Sequence, residues 1–199
     1  MNRSEITKFL TNVLIKDKLT DRKYYAREIT LDYGTDHAKR IDVMQFVPQG
    51  VFHVSDIEKG IFICYEIKSC KEDIYSGNGL NFFGEENYIV TTAATYHKLL
   101  NDGDLYDGIL QKYVKEHHPE SNSDFGILVA VPDTVDCRKI NDVKEEIHNP
   151  SQIDGNVQNW KLYKGWSTGG REPKRDRSTV ELLFCMLRAK HNYTNNMGL

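Results

Sequence analysis

Ile61-Phe62-Ile63-Cys64-Tyr65-Glu66-Ile67-Lys68 is the most continuously apolar run in the chain, and it predicts a central β-strand covered on both faces. Side chains alternate along a strand, so Glu66 and Lys68 share one face while Ile67 turns to the other and can enter the core. A charge inside such a strand has to be paired, metal-bound or placed at an open strand end.

Working outward, Ile41-Asp42-Val43-Met44-Gln45-Phe46-Val47 is a second apolar run. If it forms a hairpin with the first, Asp42 meets Glu66. Residues 24–31 read as a further strand, separated from Asp42 by the turn residues Asp32-Tyr33-Gly34-Thr35-Asp36. Upstream, Ile6, Phe9, Leu10, Val13 and Leu14 recur at helical spacing over 4–19, with Ser4 as the expected cap and the helix expected to lie on a sheet.

Downstream of Lys68 the pattern predicts a short helix over 70–76 and a loop over 77–84, where Gly77, Gly79 and Gly84 demand unusual backbone angles or close approach. A strand over 87–92, helices over 93–100 and 105–114, and a strand over 125–131 stopped by Pro132 follow. A loop-rich insertion is expected at about 133–159, then an edge strand over 160–166. The last helix, 178–192, carries Val180, Leu183, Phe184 and Leu187 on its apolar side. The order is mixed α/β, and 199 residues suit one domain spanning 1–199.

Composition removes several classes. A net charge of -3 excludes a histone-like coat, so any nucleic-acid affinity needs a local basic patch. Cys64, Cys70, Cys137 and Cys185 form no CxxC pair and read as free thiols in a reducing compartment. With no N-terminal apolar leader and no long apolar span, a soluble intracellular protein is expected. The glycine loop lacks the Gly-Lys-Ser/Thr ending of a nucleotide-phosphate loop, and no HExxH or nucleophile elbow is present. His117-His118 before Pro119 reads as a surface cap at a helix end, and His37 lies near the Asp42 strand.

Asp42 before Glu66-Ile67-Lys68, followed by Asp73, Asn81-Phe82 and Gly84-Glu85-Glu86-Asn87-Tyr88, resembles the PD-(D/E)XK nuclease superfamily. Within it, the chain is most similar to small phage or mobile-element proteins of the MmcB-like group. The similarity spans about 41–100 and, more weakly, Met186-Leu187-Arg188; Ile41 stands where the family's first motif usually has proline. The resemblance implies a restriction-endonuclease-like mixed β-sheet flanked by helices, hydrolysing DNA phosphodiester bonds with Mg²⁺ or Mn²⁺. Such a protein would act in the cytoplasm, phage-encoded and working inside a bacterial host.

Hard divalent cations take oxygen ligands, which Asp42, Glu66 and the Ile67 carbonyl would supply. Lys68 would orient or deprotonate the attacking water and stabilise developing charge. Family members often add a glutamate from an earlier element, which makes Glu28 a candidate; Asp73 is a candidate support of the site or a structural cap. Lys71, Tyr75 and Asn81, with the basic run Arg171, Lys174, Arg175 and Arg177, are the candidate nucleic-acid contacts, Phe82 and Tyr88 reading instead as core. The competing readings are a Glu66–Lys68 or Asp42–Lys68 ion pair without catalysis, an idle nuclease-like module that binds DNA or protein, and a phage inhibitor that grips a host defence protein. A homodimer follows only if both strands of a duplex are cut together.

Overall fold

The computed structural model describes residues 1–19, 24–50, 53–136, 138, 140–142, 156–168 and 175–194. Its strands are β1 (Tyr24–Leu31), β2 (Lys39–Val47), β3 (Ile61–Ile67), β4 (Glu86–Thr92), β5 (Gly126–Pro132) and β6 (Trp160–Ser167), and they form one six-stranded sheet in chain order. The pairs β1/β2, β2/β3 and β5/β6 are antiparallel, whereas β3/β4 and β4/β5 are parallel. Parallel neighbours need a crossover rather than a tight turn. One crossover carries the short helix α3 (Lys71–Ile74) and the glycine loop; the other carries α4 (Ala93–Asn101) and α5 (Ile109–His117). The architecture is a mixed β-sheet flanked by α-helices, with α1 (Arg3–Leu14), α2 (Val54–Glu58) and α6 (Thr179–Thr194) completing the set.

Apolar periodicity explains which helix covers which face. Phe9, Leu10, Val13 and Leu14 of α1 pack on Val43, Tyr65, Val90 and Leu128, with the Phe9 ring edge-on to Trp160 at 5.0 Å. On the other face α4 and α5 cover Ile89, Ile127 and Val129, while Leu182, Cys185, Met186 and Ala189 of α6 cover Ile29, Ile41, Met44 and Phe62. Each large apolar side chain fully buried this way contributes about 1.5–3 kcal/mol. Residues of β3 are therefore enclosed from both sides, as its unbroken apolar run predicts.

Three local expectations change. Asn2 rather than Ser4 caps α1, because Asn2 Oδ1 accepts from Glu5 N at 2.9 Å while Glu5 Oε2 accepts from Asn2 N at 2.8 Å, a reciprocal box that needs a carboxylate three residues on. Leu105 belongs to the turn before α5, whose start at Ile109 follows Gly108 in the left-handed conformation, φ 68°. Finally, α6 turns Leu182, Cys185, Met186 and Ala189 to the sheet and leaves Val180, Phe184 and Leu187 exposed, the reverse of the expected face.

Cys64 and Cys185 are buried free thiols and Cys70 is a partly buried one. Cys137, residues 143–155 of the expected insertion, and Arg171 and Lys174 of the basic run lie outside the described residues. Among the described residues no helix is long and apolar enough to cross a membrane.

Candidate active site at the end of β3

The two-residue alternation of β1 and β2 breaks where the candidate site begins. Ala26 and Ile29 both face the α6-side core, as do Ile41 and Met44, although a period of two would put the members of each pair on opposite faces. Glu28 absorbs the phase change with a φ of 53°, and the register runs from Arg27↔Val43 to Ile29↔Ile41 without it. Left-handed backbone at a residue with a Cβ costs about 1–2 kcal/mol, so the surrounding pairing holds it there.

The consequence falls on Asp42. The β2/β3 ladder ends at Val43↔Tyr65, and beyond it Asp42 Oδ2 accepts from Ile67 N at 2.8 Å. Its carboxylate thus takes the place of the next ladder carbonyl, which ties Asp42 to the main chain between Glu66 and Lys68. That main chain is fixed on the other side by β4: Lys68 N donates to Val90 O at 3.0 Å, and Thr91 Oγ1 donates to Lys68 O at 2.7 Å.

Glu66 and Lys68 are 1% and 5% exposed, because the glycine loop folds over them. Asn81 N donates to Glu66 Oε1 at 3.3 Å, and Lys68 Nζ donates to Asn78 O at 2.7 Å. Gly79 has φ 79°, and a Cβ there would stand 2.5 Å from Lys68 Nζ and 2.7 Å from Glu66 Oε2. Only glycine lets the loop close this tightly over both groups. The ammonium's bonded partner is a loop carbonyl rather than either carboxylate, so the simple ion-pair explanation of these buried charges does not describe the arrangement.

Burial pushes the Glu66 carboxyl well above the usual carboxylate range, and the nearby Asp42 charge adds to the rise while Lys68 opposes it. Burial also raises Asp42, against the Ile67 N–H and Lys68. Both shifts favour the protonated acids over the carboxylates. A hard divalent ion reverses that preference, and the oxygens of Asp42 and Glu66 with the Ile67 carbonyl are a donor set suited to one. Among the described residues no group of three or more His, Cys, Asp or Glu side chains gathers round a metal-sized space, so the main-chain carbonyl and water would have to complete the shell.

Of the other predicted residues, Asp73 braces the turn after Lys68: Oδ2 accepts from Ser69 N at 3.3 Å, and Oδ1 pairs with Arg3 of α1 at 2.9 Å. Glu28 is half-exposed, pairs with Arg40 at 3.0 Å and lines the same cleft as Asp42. Lys71 is held by Asp102 and Asp104, each at 2.6 Å. Tyr75 packs edge-on to Tyr113 at 4.8 Å, and Asn81 Nδ2 donates to Arg40 O at 2.7 Å. Arg175 pairs with Glu85 at 2.9 Å and covers the Phe62 ring, and Arg177 forks onto Asp32 at 2.6 and 2.9 Å while reaching Glu181 at 2.7 Å. Phe82 is core, stacked on Phe125, and Tyr88 is half-buried against Tyr65. His117 is exposed with Nδ1 near Tyr113 O, whereas His118, expected at the surface, is buried because residues 118–122 fold back on Phe82.

Two features escaped the sequence reading. Gly79 was legible as a special backbone position but not as the contact surface of Lys68. Ser4, Thr7, Lys8 and Thr11 form a polar stripe at helical spacing on α1, and this stripe faces the cleft above Asp42.

No protein-family model matches this chain, and neither a curated protein nor a solved structure matches it significantly. A functional reading therefore rests on its residues and their geometry.

Proposed function

We propose that this protein is a divalent-metal-dependent nuclease of the PD-(D/E)XK type that hydrolyses DNA phosphodiester bonds. The observation that carries the reading is the convergence of Asp42, Glu66 and Lys68 at the ends of neighbouring strands, where two carboxyls with raised pKa values and a buried ammonium are not paired off against one another. Mg²⁺ or Mn²⁺, held by Asp42, Glu66 and the Ile67 carbonyl, would supply an acidified water and charge compensation at phosphorus. Asp42 fixes the Ile67 main chain through its N–H. Lys68, released from Asn78, orients the attacking water and offsets charge on the phosphate oxygens. Asp73 keeps the turn after Lys68 rigid by bonding Ser69 and Arg3.

The deciding experiment incubates labelled single-stranded, duplex and branched DNA with Mg²⁺, Mn²⁺ or EDTA, using wild-type, Asp42→Ala and Lys68→Ala proteins. Products that need the metal and vanish in both variants support the reading; uncut DNA with folded, metal-binding wild type removes it. A second reading, an idle nuclease-like module that binds DNA or a host protein, is favoured by one feature: the loop carbonyl of Asn78 already occupies Lys68 and the loop encloses Glu66. DNA binding without cleavage under every metal condition is its expected signature.

A further inference from the structure

The loop that covers Glu66 and Lys68 has two arms of different character. Residues 80–84 are buried and anchored on several sides: Asn81 Nδ2 donates to Arg40 O at 2.7 Å, Phe82 N to Ser121 Oγ at 3.2 Å, Asn122 N to Phe82 O at 2.8 Å, and Gly84 N to Asn87 Oδ1 at 3.1 Å. Residues 76–78 are exposed and Gly79 is half-buried. Among the described residues, two hydrogen bonds tie this second arm to groups beyond its own turn: Gly77 N donates to Tyr113 Oη at 3.0 Å, and Asn78 O accepts from Lys68 Nζ at 2.7 Å. A segment with exposed backbone bonds and little buried apolar surface opens more easily than the packed chain beside it.

The arm's two glycines stand on either side of Asn78, and they serve different ends. At Gly79, φ 79°, a Cβ would strike Lys68 and Glu66; at Gly77, φ 78°, a Cβ would meet nothing within 4 Å, so the left-handed backbone alone calls for glycine. Glycine crosses between negative and positive φ without a Cβ penalty, so both ends of the Asn78 unit can rotate while 80–84 stay in place. What that rotation releases is specific. Asn78 O is a neutral acceptor on an ammonium group whose residue is only 5% exposed, and an anionic phosphate oxygen makes a stronger, charge-assisted bond to the same group.

We infer that residues 76–79 form an autoinhibitory flap on the site at the end of β3: Asn78 O holds Lys68 in the place of a phosphate oxygen, Gly77 and Gly79 are the hinges, and the Tyr113 hydroxyl is the latch. This rests on the nuclease reading for the ligand that takes Lys68 from Asn78, a phosphodiester of a nucleic-acid strand; the motion itself can be measured without it. A strand that binds the open form alone is weakened in proportion to how rarely the flap opens, so loosening the latch strengthens binding.

The test acylates the whole protein in EDTA with a water-soluble amine reagent and follows Lys68 by peptide mapping, beside amide hydrogen exchange over 76–84, in wild type, Tyr113→Phe, Gly77→Ala and Lys112→Ala. Tyr113→Phe keeps the ring that packs on Tyr75 and His117 and removes only the hydroxyl. Gly77→Ala places a methyl in open space but disfavours the closed backbone. Each is expected to speed Lys68 acylation about fivefold, the worth of one hydrogen bond or one left-handed alanine, and to speed exchange over 76–79 while 80–84 keep the wild-type rate. Lys112→Ala should match wild type, and Mg²⁺-dependent cleavage at subsaturating DNA should rise by a similar factor in Tyr113→Phe. If Tyr113→Phe melts early, Gly77→Ala at its exposed position decides. Lys68 acylation within twofold of wild type in both variants at unchanged melting temperature overturns the flap, as does acceleration that extends equally through 80–84, or a wild-type Lys68 that reacts as fast as the exposed Lys112. Faster acylation in the variants with DNA left uncut under Mg²⁺ and Mn²⁺ supports the flap and counts against the nuclease reading. Metal-dependent cleavage with Lys68 acylation indifferent to both substitutions does the reverse.

Discussion

Two buried-charge regions of the molecule handle charge in opposite ways. At the start of α6, Arg177 forks onto Asp32 and reaches Glu181, and Arg175 meets Glu85 just before β4; every charge there has a counter-charge within 3 Å. At the end of β3, Glu66 is more deeply buried than any of these and is held by a backbone N–H, while Lys68 is held by a carbonyl. The first region is complete as it stands and clamps α6 to the turn after β1. The second holds two raised carboxyls and an ammonium, each bonded to a main-chain group and not to one another, which sets it apart from the ion-pair network at α6.

The sharpest way to break this comparison is to remove one cation from each region. Lys68→Ala is expected to lower metal-dependent cleavage by about 100-fold or more while leaving metal-free stability nearly unchanged, because its partner is a single loop carbonyl. Single-turnover kinetics beside urea unfolding measure both, and equal loss in the two would erase the distinction. Arg177→Ala should do the opposite, costing about 1–3 kcal/mol of stability by stranding Asp32 and Glu181, with cleavage per folded molecule retained. A shift in the urea midpoint at constant slope is the readout.

Gly79→Ala probes the loop that seals the site. The added methyl meets Lys68 and Glu66 in a left-handed backbone, so a loss of about 1–2 kcal/mol is expected, together with displacement of the loop from Lys68. Thermal melts quantify the first, and proteolysis within 77–81 reports the second.

The smallest effect is a pair of opposite pH slopes. Glu66 has a folded-state pKa raised above its ordinary 4.5, so the native protein holds a proton that the unfolded chain releases; metal-free stability falls as pH rises from about 4.5 through the raised value, then levels off. Glu66→Gln should flatten that decline in EDTA. Asp32 is lowered below its ordinary 3.8, chiefly by its bonds to Arg177, so its contribution is full above 3.8 and is lost as pH falls through the folded-state value. Denaturant melts from pH 3 to 8 on wild type, Glu66→Gln and Asp32→Asn separate the two slopes, and slopes of the same sign would contradict the contrast.

Much of the sheet was legible because each strand carries its own local signal. The apolar run of β3 and the Pro132 that closes β5 as its last residue locate those strands within a residue or two. The meeting of Asp42 with the β3 end followed from one assumption, that β2 and β3 form a hairpin, and the antiparallel register bears that out. Helix α6 shows the limit of such reading. Val180, Leu183, Phe184 and Leu187 have the same period as Leu182, Cys185, Met186 and Ala189, so periodicity supports either face, and packing on β1 chose the second.

By itself the sequence determined a mixed α/β chain and which residues carry carboxylate and ammonium chemistry, since strand period, apolar runs and glycine positions act over a few residues. Only the tertiary structure decided which charges are mutually satisfied. Arg177 and Asp32 are far apart along the chain, and Lys71 with Asp102 nearly as remote in local pattern, so no short-range rule pairs them. The left-handed Glu28 is equally tertiary: local sterics disfavour it, and the paired β1/β2 hairpin imposes it. Carrying Asp42 to Ile67 N depends on that imposed kink, because the cost of one strained residue is offset by the long-range pairing on either side of it.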